Sequence, residues 1–209
     1  MGYYQLIGRA EPIIKQSPGP TRERILEAAK EQLNRVGATR LSLRTVAQCA
    51  GYSPAAVSGN FGNRDGLLMA LHDEAVAGFR AFISTTDKKE TNRSRDPNRE
   101  IIRFVERYIQ FGLTYPHQYE LLFTTPLPTL SADPNQMAAL DWQWLEQLAG
   151  RWITSRGINH LSPELLSVTL WSVAHGWLLR GKHIGKLTAC PFDSGQFVQQ
   201  LDTLLTGLR

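Results

Sequence analysis

Cysteine is scarce. The 209-residue chain has two, Cys49 and Cys190, far apart and outside any CxxC pair. That excludes a disulfide framework and predicts reduced, partly buried thiols in a cytoplasmic protein. Long apolar runs are missing too. The longest helix-patterned stretch without Asp, Glu, Lys or Arg runs from Leu165 to Leu179 and contains His175 and two serines. It is shorter than the roughly 20 residues that cross a bilayer, so no membrane association is expected. "MGYYQLIGRAEPII" has no continuous apolar core of a secretory signal, and it lacks the Ser or Thr that myristoylation requires after Met-Gly. Catalytic signatures are absent as well: no HExxH, no Walker A loop, no GxGxxG after a strand, no Ser-His-Asp grouping. The histidines, His72, His117, His160, His175 and His183, are dispersed, which argues against a metal site. No catalytic residue, metal or cofactor is assigned.

What charge there is lies at one end. The formal net charge is +4, and residues 1–66 hold nine basic and five acidic side chains, so they carry the whole excess. An N-terminal part that meets a polyanion would show this asymmetry.

The periodicity is helical throughout, with no alternating strand pattern and no internal repeat. Residues 1–19 end in "SPGP" and read as a flexible arm. Thr21 is placed to cap a helix to about Val36, with Ile25, Leu26, Ala29, Leu33 and Val36 on one stripe and Gly37 after it. Ser42 caps a shorter helix with Val46, Ala47 and Ala50 buried, ending at Gly51. Ser53 caps a third, with Pro54 at its first position. Asn63 or Asp65 opens a fourth, carrying Leu67, Leu68, Leu71, Ala75, Phe79 and Phe82. "DKKETNRSRDPNRE" is a solvated loop. Further helices follow from about Pro97 to Tyr115, over "HQYELLF", across "NQMAALDWQWLEQLAGRWITSRG" after a Pro-rich break, from Pro163 to about Lys182, and over the last residues. The expected class is all-α, about nine helices.

The third helix, "SPAAVSGN", is short and almost free of large apolar groups. Alone it would bury little. Two short helices joined by a tight turn with a glycine form a helix-turn-helix, whose second helix enters the major groove. Small residues there allow close approach, Val57 anchors the inner face, and hydroxyls and amides face outward. A plain αα-corner that binds nothing has the same local pattern.

The order of Thr21, Ile25-Leu26, Ala28-Ala29, Leu33, Gly37, "LSLRTVA", Ala50-Gly51-Tyr52-Ser53 and Phe61-Gly62-Asn63-Arg64-Asp65 with Leu67-Leu68 resembles the N-terminal domain of the TetR family of bacterial transcriptional regulators over about residues 20–68. The resemblance implies a three-helix DNA-binding domain (20–66) after the arm (1–19). It implies a C-terminal ligand-binding and dimerisation domain (67–209), and a homodimeric repressor released from a near-palindromic operator by a small molecule. Carried onto this chain, it puts DNA contacts at Arg44, Thr45, Tyr52, Ser53, Pro54, Ala55, Ala56, Ser58, Gly59, Asn60 and Arg64. Ser58 and Asn60 stand where the family usually has aromatic or His phosphate contacts, and Arg64 where it usually has Lys. Gly59 weakens the helix by roughly 1 kcal/mol relative to Ala. An unusual contact set is expected, with a helical enzyme or adaptor whose DNA-binding domain is inactive as the alternative.

Trp171, His175 and Gly176 in "WSVAHGWLL" resemble a Trp…His-Gly signature of one subgroup of that family. The same helix is apolar nearly all round, so it must be covered on both sides. Self-association through helices at about 163–182 and 192–207 would do this. Phe104, Tyr108, Phe111, Trp144, Trp171 and His175 are the candidate lining of an effector site suited to an apolar or flat aromatic molecule.

Overall fold

The computed structural model describes residues 19–84, 96–126, 142–184 and 193–208. The N-terminal arm, the charged loop after Ser84 (residues 85–95), most of the Pro-rich break, the start of the following helix and Cys190 lie outside the described residues. Nine α-helices and one short 3-10 turn, and no strand, are found among those described.

The first four helices are set by their ends. α1 (Pro20–Val36) has Gly19 at its N-cap, with no side-chain bond there, and Pro20 in the first turn. This corrects the expected Thr21 cap. Pro20 fixes a helical φ, and its missing N–H costs nothing at the first helical position, so the cap lies two residues earlier, at Gly19. A 3-10 turn at Ala38–Arg40, not foreseen, links it to α2 (Leu43–Ala50). Ser42 Oγ accepts from Thr45 N, and Gly51 closes α2 in the left-handed region at φ 73°. Ser53 Oγ accepts from Ala56 N at the start of α3 (Pro54–Phe61). In α4 (Arg64–Ser84), Asn63 Oδ1 accepts from Gly66 N.

The remaining helices are α5 (Pro97–Thr114), α6 (Pro116–Phe123), α7 (Trp142–Arg156), α8 (Pro163–Ile184) and α9 (Ser194–Gly207). Asp96 and Asp193 cap α5 and α9 by accepting from Asn98 N and from Gly195 N and Gln196 N. Ser162 Oγ accepts from Leu165 N at the head of α8.

Two apolar cores result. The first gathers Ile25, Leu33, Val46, Val57, Phe61, Leu67, Leu68 and Leu71 from α1–α4, with Leu121 of α6. The second joins Val76 and Phe79 of α4 to α5 and α7–α9, with Trp152 fully buried. Trp152 Nε1 donates to Asn98 Oδ1 (2.9 Å), and Asn98 Nδ2 donates to Asp202 Oδ1 (2.6 Å), so one amide ties α5, α7 and α9. α4 enters both cores, and Lys30 holds it to α1 through Glu74 at 2.7 Å. Cys49 is exposed rather than partly buried. Its Sγ accepts from Gln32 Nε2 at 2.8 Å, so the thiol sits on the rim of the α1–α2 contact. Among the described residues no helix is long and apolar enough to cross a membrane.

His72 of α4 is buried, and its Nδ1 lacks a hydrogen-bond partner. Burial pushes its pKa below the ordinary imidazole value, against the opposing pull of Asp73. Burial does the same to His175. The unfolded chain takes up these protons near pH 6.5, the folded chain only at lower pH. Stability is therefore full above about pH 6.5 and falls as the pH drops below it, because the unfolded state binds more protons. Thermal melts at about pH 7.5 and about pH 5.5 should show a lower Tm at the acid end. His72→Leu should flatten that dependence; an unchanged slope would remove His72 as its source.

Candidate nucleic-acid interface and effector cluster

α2 and α3 form the helix-turn-helix on top of the first core. Val57 is fully buried and Phe61 nearly so, which pins α3 by its inner face. The Arg22 guanidinium lies 4.8 Å above the Phe61 ring and adds a tie to α1. Arg44, Thr45, Ser53, Pro54, Ala55, Gly59 and Asn60 are exposed, and Tyr52, Ala56, Ser58 and Arg64 half-exposed. The outer surface of α3 is thus built from small side chains. A Cβ on Gly59 would meet no atom within 4 Å, so no protein contact requires a glycine there.

Some of these groups are already engaged. Thr45 Oγ1 donates to Ser42 O at 2.9 Å. Asn60 Nδ2 donates to Ala56 O at 2.8 Å, folding the amide back on its own helix with Oδ1 left as its acceptor. The Arg64 guanidinium points inward: Nε donates to Leu41 O at 3.0 Å and Nη2 to Ala38 O at 2.6 Å.

Residues 25–71 match the family of bacterial regulatory proteins of the TetR type. Those 47 residues carry a TetR-type N-terminal domain. An HTH-type transcriptional regulator of Mycobacterium tuberculosis is 28% identical over 118 residues, which is 56% of this chain and 49% of that protein. The chain spans about half the length of the curated relatives it matches. A Rhodococcus protein of unknown function has the same fold, with a TM-score of 0.71 at 21% identity over 95% of this chain and 98% of its own. So does the transcriptional regulator FadR of Bacillus subtilis in complex with stearoyl-CoA, with a TM-score of 0.66 at 13% identity over 90% and 99%. The curated relatives it matches are HTH-type transcriptional regulators.

Helices α5, α6 and α8 hold a polar cluster inside an aromatic shell. Trp171 Nε1 donates to Tyr108 OH at 3.1 Å, and Tyr108 OH donates to Tyr119 OH at 3.4 Å. Tyr119 OH lies 2.5 Å from His175 Nδ1, with Tyr108 OH at 3.0 Å. Each donor in this chain finds an acceptor only if Nδ1 accepts, which places the imidazole proton on Nε2. Burial agrees, since it favours the neutral ring. Burial also raises both phenols, Tyr119 to about 12, so both stay protonated donors. The Trp171 indole stacks on the His175 ring at 4.8 Å.

Of the predicted lining, Tyr108, Trp171 and His175 come together here. Phe104 and Phe111 are buried packing residues, and Trp144 is 41% exposed, against Phe104. Tyr119 was missed, although it lies inside the "HQYELLF" pattern. It comes from α6, which also reaches the helices of the first core. Leu121 fills the first core, Gln118 Nε2 donates to Asn34 Oδ1 at 3.2 Å, and the His117 ring lies against Gly37.

Proposed function

We propose that this protein is a homodimeric repressor that binds a near-palindromic operator through α3 and leaves it when a small apolar or aromatic effector binds. The reading divides the chain into an arm (1–19), a DNA-binding domain (20–66) and a regulatory and dimerisation domain (67–209). The observation that carries it is α3 itself: a helix held by Val57 and Phe61 with an outer face of small residues, beside the exposed Arg44. Such a face lets the backbone approach base edges and phosphates closely. Arg44 supplies the phosphate or base contact, and Ser53, Ser58 and Asn60 the shorter polar ones.

On the dimer side, Leu165, Val168, Ser172, Val173 and Gly176 of α8 are all exposed and fall on one stripe. Leu204 and Leu208, at the end of the chain, add exposed apolar surface. A Cβ at Gly176 would meet nothing, so the stripe has a flat point where a second copy can approach. For the effector, His175 Nε2–H is a neutral donor flanked by Trp171 and Phe123 rings. It suits an acceptor on an apolar body, and a chain of the same fold crystallises with stearoyl-CoA.

The test is an anisotropy titration against duplexes from the DNA upstream of its own and neighbouring genes, at two salt concentrations. Selective binding that weakens with salt is expected, with Arg44→Ala losing about tenfold or more in affinity and lowering the salt slope. Apolar and flat aromatic compounds should release the DNA, and sugar phosphates should not. Absence of selective binding to any fragment would refute the reading.

A further inference from the structure

We infer that Arg64 acts in DNA binding as a positioning residue, not as a phosphate contact. The inference rests on the regulator reading above. Arg64 is the first residue of α4. Its side chain turns away from the groove-facing surface and spans the α1–α2 connection. Nε donates to Leu41 O (3.0 Å), and Nη2 to Ala38 O (2.6 Å) and, longer, to Thr39 O (3.4 Å). These are carbonyls of the 3-10 turn and of the residue that ends it; Ala38 O also accepts from Leu41 N at 3.3 Å, so the fork adds to the turn's own bond. A planar fork satisfies them together, and a point-like ammonium does not reproduce its directions.

The placement explains the effect on DNA. Leu41 is buried, and Ser42, the next residue, caps α2. α3 runs directly into the turn that ends at Arg64. The clamp therefore fixes the first turn of α4 against the residue that sets the direction of α2. The distance from α2 to α3, and with it the seating of both helices on the duplex, depends on that closure. A phosphate contact at this position needs the guanidinium facing outward; here its Nε and Nη2 donors are spent inward.

Arg64→Lys is the decisive variant, because it keeps the charge and loses the fork. It is measured beside wild type, Arg64→Ala and Arg44→Ala, on duplexes that the wild-type protein selects from a random pool. Ile109→Val, in the second core, serves as a variant that changes stability away from the DNA. For a positioning residue, Arg64→Lys weakens binding about tenfold with the salt slope unchanged, while Arg44→Ala lowers the slope. Ile109→Val lowers Tm and leaves the affinity at wild type, which separates seating from general loss of stability. Should Arg64→Lys bind within about twofold of wild type and Arg64→Ala lower the salt slope by about one per half-site, the clamp is overturned and Arg64 is a phosphate ligand. Should Arg64→Ala fail to fold, the Lys variant still decides. If wild type selects no duplex at all, the regulator reading itself fails, a different outcome from either of these.

Discussion

Val168→Asp with Leu204→Asp is expected to turn the proposed dimer into a monomer and to cut affinity for the proposed operator by about 10²–10⁴-fold. Both side chains are exposed, at 57% and 68%, so the monomer itself loses little. Surface substitutions of this kind usually lie within about 0.5 kcal/mol. In an isologous interface each substitution occurs twice, so four carboxylates would enter one apolar contact. The affinity loss follows from geometry rather than from any change at the DNA. A two-fold pair binds two half-sites about 34–36 Å apart, and a monomer binds one. Size-exclusion with light scattering reads the assembly, and anisotropy reads the affinity. A double variant that elutes as a dimer and binds like wild type would move the interface away from α8 and the chain end.

Gly66→Ala is the second large effect, and it acts at the other end of the molecule. A Cβ built on Gly66 would lie 2.0 Å from Phe61 O, a backbone atom that no rotamer change can move aside. Phe61 is the last residue of α3, and its carbonyl accepts from Asn63 N at 3.0 Å in the turn that leads to α4. Either α3 or the first turn of α4 must shift. We expect a loss of about 3 kcal/mol, at the upper end of overpacking costs, with operator affinity reduced about tenfold or more in the fraction that stays folded. Gly78→Ala is the internal control. It lies on the same helix with no atom within 4 Å, and it should stabilise the protein by about 0.5–1 kcal/mol through helix propensity alone. Equal effects at the two positions would show that Gly66 is not tight.

The pair of glycines also shows what the sequence holds and what it hides. Capping is local, so Ser42, Ser53 and Pro54 were legible from a few neighbouring residues, as was the buried stripe around Val46 and Val57. The same local reading misplaced the start of α1, where proline rather than threonine sets the end. It missed the 3-10 turn, because three residues of tight winding have no period of their own. Gly66 and Gly78 look alike in the sequence; only the return of the chain from α3 separates them. Arg64 was read as facing the DNA because its type and position matched a family pattern, and the direction of its side chain is fixed by carbonyls 23 to 26 residues away. The Tyr108–His175 cluster shows the same limit. Trp171 and His175 share a helix and were found together, whereas Tyr119 reaches them from 56 residues away.

α4 has one more consequence. Its 21 residues form a rod about 31 Å long, seated by Leu67, Leu68 and Leu71 at one end and by Val76 and Phe79 further along. A rod of that length magnifies small angles. A tilt of about 5° about one end carries the other by nearly 3 Å, as much as a whole hydrogen-bond distance. In the proposed symmetric pair the two displacements would add, so the gap between the two α3 helices would change by up to twice that amount. On the proposed operator, a small repacking in the second core would then be enough to put both half-sites out of register.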